Sequence, residues 1–245
     1  MENHLAYIIG CVIVFFAASI QGLTGFGFGL MTVPFLSLFI YPKTVVPVVL
    51  IYTVVISGLV LFQARRYVKV KRLLPLLIAA ATGLIPGALL LKFLPADTLR
   101  IYLGAVITIF AALMLIGYRV KIRNEQRAHL PVGIVSGVLS GSLSIGGPPV
   151  ILFFTNQAVE KEQFRANLSF YFFVLNILTI PIYLIGDIIT FEVVKSALIF
   201  LPALIIGSAA GVFYSKKVNE TYFRRIALAL VAVGGLSSLI TGLGR

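Results

Sequence analysis

Two glycine-rich stretches carry the residues whose types and spacing favour ligand chemistry. The first runs from Gly22 to Gly29 with Pro34 behind it, and the second runs from Gly141 to Pro149. Glycine costs about 1 kcal/mol in a helix interior and proline about 3 kcal/mol, so both stretches should break the helices that contain them. A helix that restarts after such a break begins with free N–H donors, which bind anions well. Close helix packing through small residues is the alternative interpretation, although it does not require the sequence Gly-Gly-Pro-Pro.

We expect the two stretches to meet near the bilayer midplane and to bind a small anion between Gly25–Gly29 and Ser144–Gly147. The second halves of the broken helices should begin near Leu30 and Pro148, and each helix start carries about half a positive charge. Glycine also lets a ligand approach the backbone closely. Arg165 either helps to neutralise the anion or is a snorkelling loop residue. The predicted substrate-binding residues are Thr24, Gly25, Gly27, Gly29, Ser144, Gly146, Gly147, Arg165 and Asn167.

Other polar side chains within or beside the apolar segments are further candidates. They are Gln21, Thr32, Tyr52, Thr53, Ser140, Ser142, Asn156, Gln157, Ser169, Tyr171 and Asn176. Bonding to the backbone of its own helix is the alternative for each serine and threonine. Asn167 and Asn176 are the stronger candidates because an amide is costly at membrane depth. The segment interiors lack Asp and Glu, so no proton relay is expected, and His4 and His129 lie at segment ends, where we expect them to be solvated.

The composition is that of a helical membrane protein. Of the 245 residues, 60% are hydrophobic and 11% are charged, and the mean hydropathy is +1.07. A soluble domain carries about 25% charged residues. Apolar runs of roughly 18 residues or more recur along the chain, which predicts an all-α polytopic protein embedded in the lipid bilayer of the cytoplasmic (inner) membrane. The single cysteine, Cys11, excludes a disulfide or a cysteine metal cluster within one chain, and no cofactor is expected.

The chain divides into eight hydrophobic segments that form a single transmembrane domain over residues 1–245. Their approximate bounds are Leu5 to Ile40, Thr44 to Phe62, Leu73 to Leu91, Leu99 to Gly117, Pro131 to Gln157, Phe164 to Ile185, Val193 to Tyr214 and Tyr222 to Leu243. Segments 1 and 5 contain the glycine-rich stretches and are expected to be broken or re-entrant there.

An internal repeat relates two halves of four segments each, about 1–117 and 118–245. The matches at a separation of 124 positions are Gly83 with Gly207, Gly87 with Gly211, Lys92 with Lys216 and Arg100 with Arg224. At a separation of 119 positions, Gly22 matches Gly141 and Gly27 matches Gly146. The first two glycine pairs have the small-xxx-small spacing of one helix face, so we predict close helix–helix contacts at all four of those positions.

The distribution of basic residues distinguishes two topologies. If all eight segments cross the membrane, eleven of the 20 Lys and Arg residues fall on one side, which is no bias. If segments 1 and 5 are re-entrant hairpins, fifteen of the 20 share one side, as the positive-inside rule requires. We therefore favour hairpins, which make the two repeats inverted and put loops 63–72, 118–130 and 215–221 in the cytoplasm. Segment 1 is nevertheless long enough for one full crossing plus a half-helix.

The two glycine-rich stretches, together with Arg165-Ala166-Asn167 at the start of segment 6, resemble the TauE/SafE family of membrane transporters. The resemblance extends over the whole chain in length, segment number and four-segment duplication. It implies transport of sulfite, sulfonates or related small organic anions. The first stretch departs from a plain Gly-Gly-Gly cluster by interleaving Phe26 and Phe28, which leaves the ligand of this member open.

These features predict a secondary transporter of a small anion rather than an enzyme. No Walker lysine or βαβ unit accompanies the glycines, and Ser140 and Ser144 have no His or Asp partner at membrane depth. Two alternatives stay open, an anion channel that uses the same helix ends and a transporter of a non-sulfur small solute. Coupling to H⁺ or Na⁺ and a homo-oligomeric state are both compatible with the sequence. Nucleic acid is not an expected partner, because the net charge of +12 resides in short loops between apolar segments.

Overall fold

The computed structural model describes residues 2–116, 125–155, 160–214 and 220–243, and these residues fold almost entirely into helices. A short 3-10 helix, Arg65–Tyr67, extends the third α-helix. The α-helices of the described ranges are α1 (Glu2–Thr24), α2 (Phe28–Leu36), α3 (Pro42–Ala64), α4 (Val70–Phe93), α5 (Ala96–Leu115), α6 (Glu125–Leu143), α7 (Gly147–Thr155), α8 (Lys161–Ile185), α9 (Phe191–Tyr214) and α10 (Glu220–Leu243).

Six helices of the described chain are long and apolar enough to cross a bilayer, namely α1, α3, α4, α5, α8 and α9. The far end of α10 adds a shorter apolar stretch, Val231–Leu243. Large apolar side chains such as Phe93, Ile206 and Ile240 are exposed on the outside of the bundle. In water such a surface would be unfavourable, whereas lipid tails solvate it, so the helical membrane architecture expected from the composition is confirmed.

Segments 1 and 5 each fold as a helical hairpin with unequal arms. The long arms, α1 and α6, have 23 and 19 residues, and the short arms, α2 and α7, have 9 residues each. Each short arm returns along its long arm, because the side chain of Leu36 lies against Gly10 in the first hairpin and the ring of Phe153 packs against that of His129 in the second. The predicted bounds of segment 5, about Pro131 to Gln157, leave an arm of about ten residues before the second glycine-rich stretch. Instead α6 begins at Glu125 and includes Pro131 in its second turn, so this arm is about 28 Å long.

The helices pack in a reciprocal pattern. α1 packs on α9 and α4 packs on α6, while α3 packs on α8 and α5 packs on α10. Suppose that α1 to α5 correspond in order to α6 to α10. The contact of α1 with α9 then corresponds to the contact of α6 with α4, and the contacts of α3 with α8 and of α5 with α10 each correspond to themselves. The equivalence extends to smaller interfaces, since α3 contacts α9 just as α8 contacts α4.

The four glycines of α4 and α9 lie in close contact with a neighbouring backbone, which confirms the predicted helix–helix contacts. A Cβ at Gly207 would overlap the carbonyl oxygen of Phe15, and a Cβ at Gly211 would overlap that of Ser19. Moving four residues forward in α9, from Gly207 to Gly211, moves the contact four residues forward in α1, from Phe15 to Ser19. The two helices therefore run parallel. On the other side, a Cβ at Gly83 or Gly87 would overlap a carbonyl oxygen of α6. Those two oxygens belong to Ile134 and Val138, each 119 positions after Phe15 and Ser19.

Candidate functional site

The first break, residues 25–27, separates α1 from α2 through two residues in the left-handed region. Gly25 has a φ of 83° and Gly27 a φ of 102°, values that glycine adopts at little cost. The hydroxyl of Thr24 lies 2.9 Å from the Ile20 carbonyl oxygen and 2.8 Å from that of Phe26, and it accepts the Phe26 N–H at 3.3 Å. Thr24 therefore stabilises the turn, and its side chain is occupied by backbone partners.

The second break, residues 144–146, separates α6 from α7 and uses a serine where the first break uses glycine. Ser144 has a φ of 55°, an uncommon conformation for a residue with a side chain. Its hydroxyl donates to the carbonyl oxygen of Val46 at 3.0 Å, which ties the break to the start of α3. The Gly146 carbonyl oxygen accepts a hydrogen bond of 2.6 Å from the hydroxyl of Ser136. Both backbone breaks predicted from glycine and proline are thus present, and the short arms begin at Phe28 and Gly147.

The two breaks lie against each other. A Cβ at Gly29 would be only 2.6 Å from the Ser144 carbonyl oxygen, so only glycine allows this approach. Between them is a cavity of about 30 Å³, larger than the roughly 10–15 Å³ that one water needs. We call it the central cavity. Its lining residues are Gln21, Gly27, Gly29, Leu30, Thr53, Ser140, Ser144, Ile145, Gly146, Gly147, Phe172 and Asn176.

The two helix starts at the central cavity offer different numbers of backbone donors. In α2 no side chain caps the first turn, so the N–H groups of Phe28, Gly29 and Leu30 lack the usual helical partners. In α7 the second and third residues are Pro148 and Pro149, which have no N–H. Gly147 is therefore the only N–H donor among the first three residues of α7. Most of the partial positive charge expected at the cavity comes from α2.

Side chains of α1 and α8 add polar groups to the cavity wall. The Asn176 amide donates to the Phe172 carbonyl oxygen at 2.7 Å, while its Oδ1 is buried without a hydrogen-bond partner among the described residues. Gln21 donates to the hydroxyl of Ser57 at 3.1 Å. Among the described Lys, Arg, Asp and Glu residues the buried one is Arg100, and the lining of this cavity contains no carboxylate.

Five of the predicted binding residues line the central cavity, namely Gly27, Gly29, Ser144, Gly146 and Gly147. Gly25 shapes the turn, and Arg165 contacts it from outside, with its Cγ 2.9 Å from where a Cβ would be. The Arg165 guanidinium donates to the Gly22 carbonyl oxygen at 2.5 Å. Asn167 lies elsewhere, because its Oδ1 accepts the Lys69 N–H at 3.0 Å, just before α4 begins.

Some expectations about isolated polar residues were wrong or lie outside the described residues. His129 is not solvated: it is 9% exposed and its ring lies 5.1 Å from that of Phe153, centroid to centroid. The side chain of His4 and the positions of Asn156 and Gln157 are outside the described part of the structure.

The candidate Tyr171 supports the second break together with Ser136 and Tyr183, which the sequence did not single out. The Tyr171 hydroxyl donates to Ser136 at 2.8 Å, and Ser136 in turn donates to Gly146, which forms a buried relay from α8 to the break. The Tyr183 hydroxyl donates to the Gly141 carbonyl oxygen at 2.8 Å. Tyr171 follows Tyr52 by 119 positions, the separation of the glycine matches, which is a second sequence signal for this candidate. Ser136 has no such signal, because its role depends on where α8 packs.

Comparison with known proteins gives a family for this architecture. The family described as Sulfite exporter TauE/SafE matches residues 10–238. A curated protein of Cupriavidus necator, described as "Probable sulfite/organosulfonate exporter TauE", is 27% identical over 232 residues, which cover 90% of this chain and 88% of that protein. No solved structure shows a significant match to the chain. The matched region includes both breaks and most of both hairpins, and the chain is a multi-pass protein of the cell membrane that belongs to the sulfite exporter TauE/SafE family.

Proposed function

We propose that the protein is a secondary transporter that carries a small anion, sulfite, an organosulfonate or a related organic anion, across the cytoplasmic membrane. The observation that carries this proposal is the meeting of the two helix breaks at one cavity, where Gly29 approaches the backbone of Ser144. Broken helices in corresponding positions of two halves are the usual substrate site of secondary transporters. The described function of the Cupriavidus necator relative agrees with an anionic sulfur substrate.

We infer that the two halves are inverted repeats, each made of one hairpin and three crossings. The reciprocal packing of α1 on α9 and of α6 on α4 supports this arrangement. Arg72 forms an ion pair with Glu125 at 2.9 Å, so the starts of α4 and α6 lie side by side. The Lys43 ammonium donates to the Lys92 carbonyl oxygen at 2.8 Å, which joins the start of α3 to the end of α4. These contacts agree with a cytoplasmic side that carries loop 63–72 and an opposite side that carries Lys43 and Lys92.

In this proposal the anion is bound mainly by backbone groups. The N-terminal end of α2, with its N–H groups and partial positive charge, faces the cavity. The N–H of Gly147 adds one donor from α7. The absence of a carboxylate from the cavity lining favours a negative ligand. The unpaired Oδ1 of Asn176 would accept a hydrogen bond from the hydroxyl of a singly protonated oxyanion or coordinate a coupling cation. Binding without a buried lysine keeps the interaction weak enough for release on the other side.

The relay from Tyr171 through Ser136 fixes the direction of the Gly147 N–H. Peptide groups are planar, and the described bonds are all trans, so the carbonyl oxygen of Gly146 and the N–H of Gly147 point in opposite directions. Ser136 holds that oxygen at 2.6 Å on the α6 side. The N–H of Gly147 is thereby directed away from α6, towards the cavity that Gly147 lines.

Replacing Tyr171 by phenylalanine is therefore expected to weaken sulfite binding about fivefold. The change removes one hydrogen bond, worth about 1 kcal/mol, and leaves Ser136 free to release Gly146. Calorimetric titration of the purified protein with sodium sulfite measures the effect. The matched control is Tyr52→Phe, because Tyr52 is equally buried but donates to Ala197 in α9. Equal changes in both variants would contradict the positioning role of Tyr171.

Transport itself is tested in proteoliposomes with purified protein. We expect sulfite uptake to saturate, to show counterflow against unlabelled sulfite, and to depend on an imposed H⁺ or Na⁺ gradient. A channel would instead give electrical conductance without counterflow or coupling. Uptake that is absent for sulfite, methanesulfonate and acetate in all gradients would contradict a small-anion transporter, and uptake of acetate alone would exclude a sulfur substrate.

A further inference from the structure

A second and much larger cavity opens beside the first break. Its volume is about 1250 Å³, and we call it the lateral cleft. Its walls come from the end of α1, the ends of α3 and α9 and the start of α8, which are the helix ends next to the basic loop 63–72. The polar residues of its lining are Gln63, Arg66, Tyr67, Glu162, Arg165 and Ser208. The remaining lining side chains are apolar, among them Leu59 and Phe213.

Arg165 links the lateral cleft to the first break. Its guanidinium donates to the carbonyl oxygen of Gly22 at 2.5 Å, in the last turn of α1, and its Cγ packs against Gly25. The Nε of Arg165 is buried without a hydrogen-bond partner among the described residues. A guanidinium has five N–H donors in a planar fork, so the bond to Gly22 leaves donors available for a second acceptor.

The corresponding place in the other half is built differently. Val46 precedes Arg165 by 119 positions and is fully buried, so no charge faces the second break there. The carbonyl oxygen of Gly141, the counterpart of Gly22, accepts a 2.8 Å hydrogen bond from Tyr183 instead. Tyr183 is also fully buried. One break is thus approached by a wide cleft with an arginine, whereas the other is closed by a valine and a tyrosine.

The charge of the cleft favours anions. Arg165 and Arg66 contribute two positive charges, and the carboxylate of Glu162 contributes one negative charge. Clefts of one net sign between low-dielectric walls raise the local concentration of oppositely charged solutes by about tenfold to a thousandfold. A planar guanidinium also matches the oxygens of an oxyanion in a bidentate manner.

We propose that the lateral cleft is the cytoplasmic vestibule of the transporter and that an oxyanion first binds there, at Arg165, before it reaches the central cavity. This inference rests on the proposed function. In the vestibule the oxyanion shares the guanidinium with the Gly22 carbonyl oxygen, and the apolar walls accommodate an organic substituent. Val46 and Tyr183 are buried at the second break and close the route from the central cavity to the opposite side of the membrane. The structure is therefore open towards the side of the basic loops.

The test uses a thiol placed on the cleft wall. Ala209 lines the cleft and is exposed, so Ala209→Cys in a Cys11→Ser background provides a small reporter. Inverted membrane vesicles, which expose the cytoplasmic face, are treated with an anionic thiosulfonate that carries a sulfonate group or with its cationic trimethylammonium analogue. Ile206→Cys, on the same helix but outside the cleft, is the matched control for a lipid-facing thiol.

We expect the cleft thiol to react faster with the anionic reagent. Sodium methanesulfonate, which unlike sulfite does not attack thiosulfonates, should slow that reaction. Arg165→Gln should lower the ratio of anionic to cationic rates about tenfold, whereas Glu162→Gln should raise it. An unchanged ratio in Arg165→Gln would overturn the proposal, as would reaction only in right-side-out vesicles. A cleft thiol as unreactive as the control thiol would mean that lipid chains fill the cleft, which also overturns it. Sulfite calorimetry on variants of the breaks tests the central cavity separately. The proposal for the lateral cleft and the proposed function at the central cavity can therefore be contradicted independently of each other.

Discussion

Valine in place of Gly146 is expected to abolish sulfite binding to the purified protein. A Cβ at this position would lie 2.6 Å from the Ser140 hydroxyl and 2.8 Å from the Ser136 carbonyl oxygen. The break must therefore shift away from α6, and the bond between Ser136 and Gly146 cannot persist. A charge-assisted hydrogen bond is worth about 1.5–3 kcal/mol, so losing the Gly147 donor alone raises Kd by about 10- to 100-fold, and distortion of the small central cavity adds to that loss. Calorimetric titration with sodium sulfite measures the change.

Gly27→Val provides an independent disruption of the first break. The Cβ itself would meet only Ile20, at 3.4 Å, but the φ of 102° is unfavourable for a β-branched residue. The backbone should leave the left-handed region, which would turn the first N–H groups of α2 away from the cavity. We expect a loss of sulfite binding of similar size, although the steric cause differs from that at Gly146.

A matched control separates these effects from loss of folding. Gly58 lies in α3 outside the central cavity, and its Cβ would meet only the ring of Phe173, at 3.2 Å. Gly58→Val should bind sulfite with the affinity of the unmodified protein, and the melting temperature of each variant in detergent reports its fold. If folded Gly146→Val and Gly27→Val both bind sulfite with unchanged affinity, the anion site does not lie at the breaks.

The sequence was most informative where backbone chemistry decides the structure. Glycine and proline have large helix penalties, and their clusters located both breaks and the starts of both short arms to within two residues. The glycines of α4 and α9 were recognisable because a recurrent spacing on one helix face means close packing in a membrane. The membrane architecture followed from hydropathy alone, because lipid requires long apolar helices.

The roles of individual polar side chains depended on tertiary contacts that periodicity does not encode. Asn167, a predicted anion ligand, lies outside the lining of the central cavity and accepts the backbone N–H of Lys69. His129 was expected in water but packs against the ring of Phe153, because α6 begins earlier than Pro131 suggested. Ser136 was overlooked, since its importance arises only when α8 brings Tyr171 to it. A polar residue at membrane depth takes whichever partner the packing supplies, and the sequence does not name that partner.

Leucine in place of Gly211 is expected to lower the melting temperature in detergent more than any substitution outside the helix contacts. A Cβ here would overlap the carbonyl oxygen of Ser19, an atom of the α1 backbone that cannot rotate away. The two parallel helices must then separate along their length. Overpacking of this kind costs about 1–3 kcal/mol or more, which corresponds to several degrees for a chain of this size. Ala209→Leu is the matched control, because Ala209 is two residues away on the exposed face.

Gly87→Leu tests the same contact in the other half. Its Cβ would overlap the carbonyl oxygen of Val138, which follows Ser19 by 119 positions, so the two variants disturb corresponding interfaces. If the halves are equivalent in packing, both melting temperatures should fall by similar amounts, while Ala209→Leu melts like the unmodified protein. If the melting temperatures stay unchanged but sulfite transport is lost, these glycines have a role in helix movement instead. In that case the resting structure accommodates leucine, and only a conformation that forms during transport requires the closer helix contact.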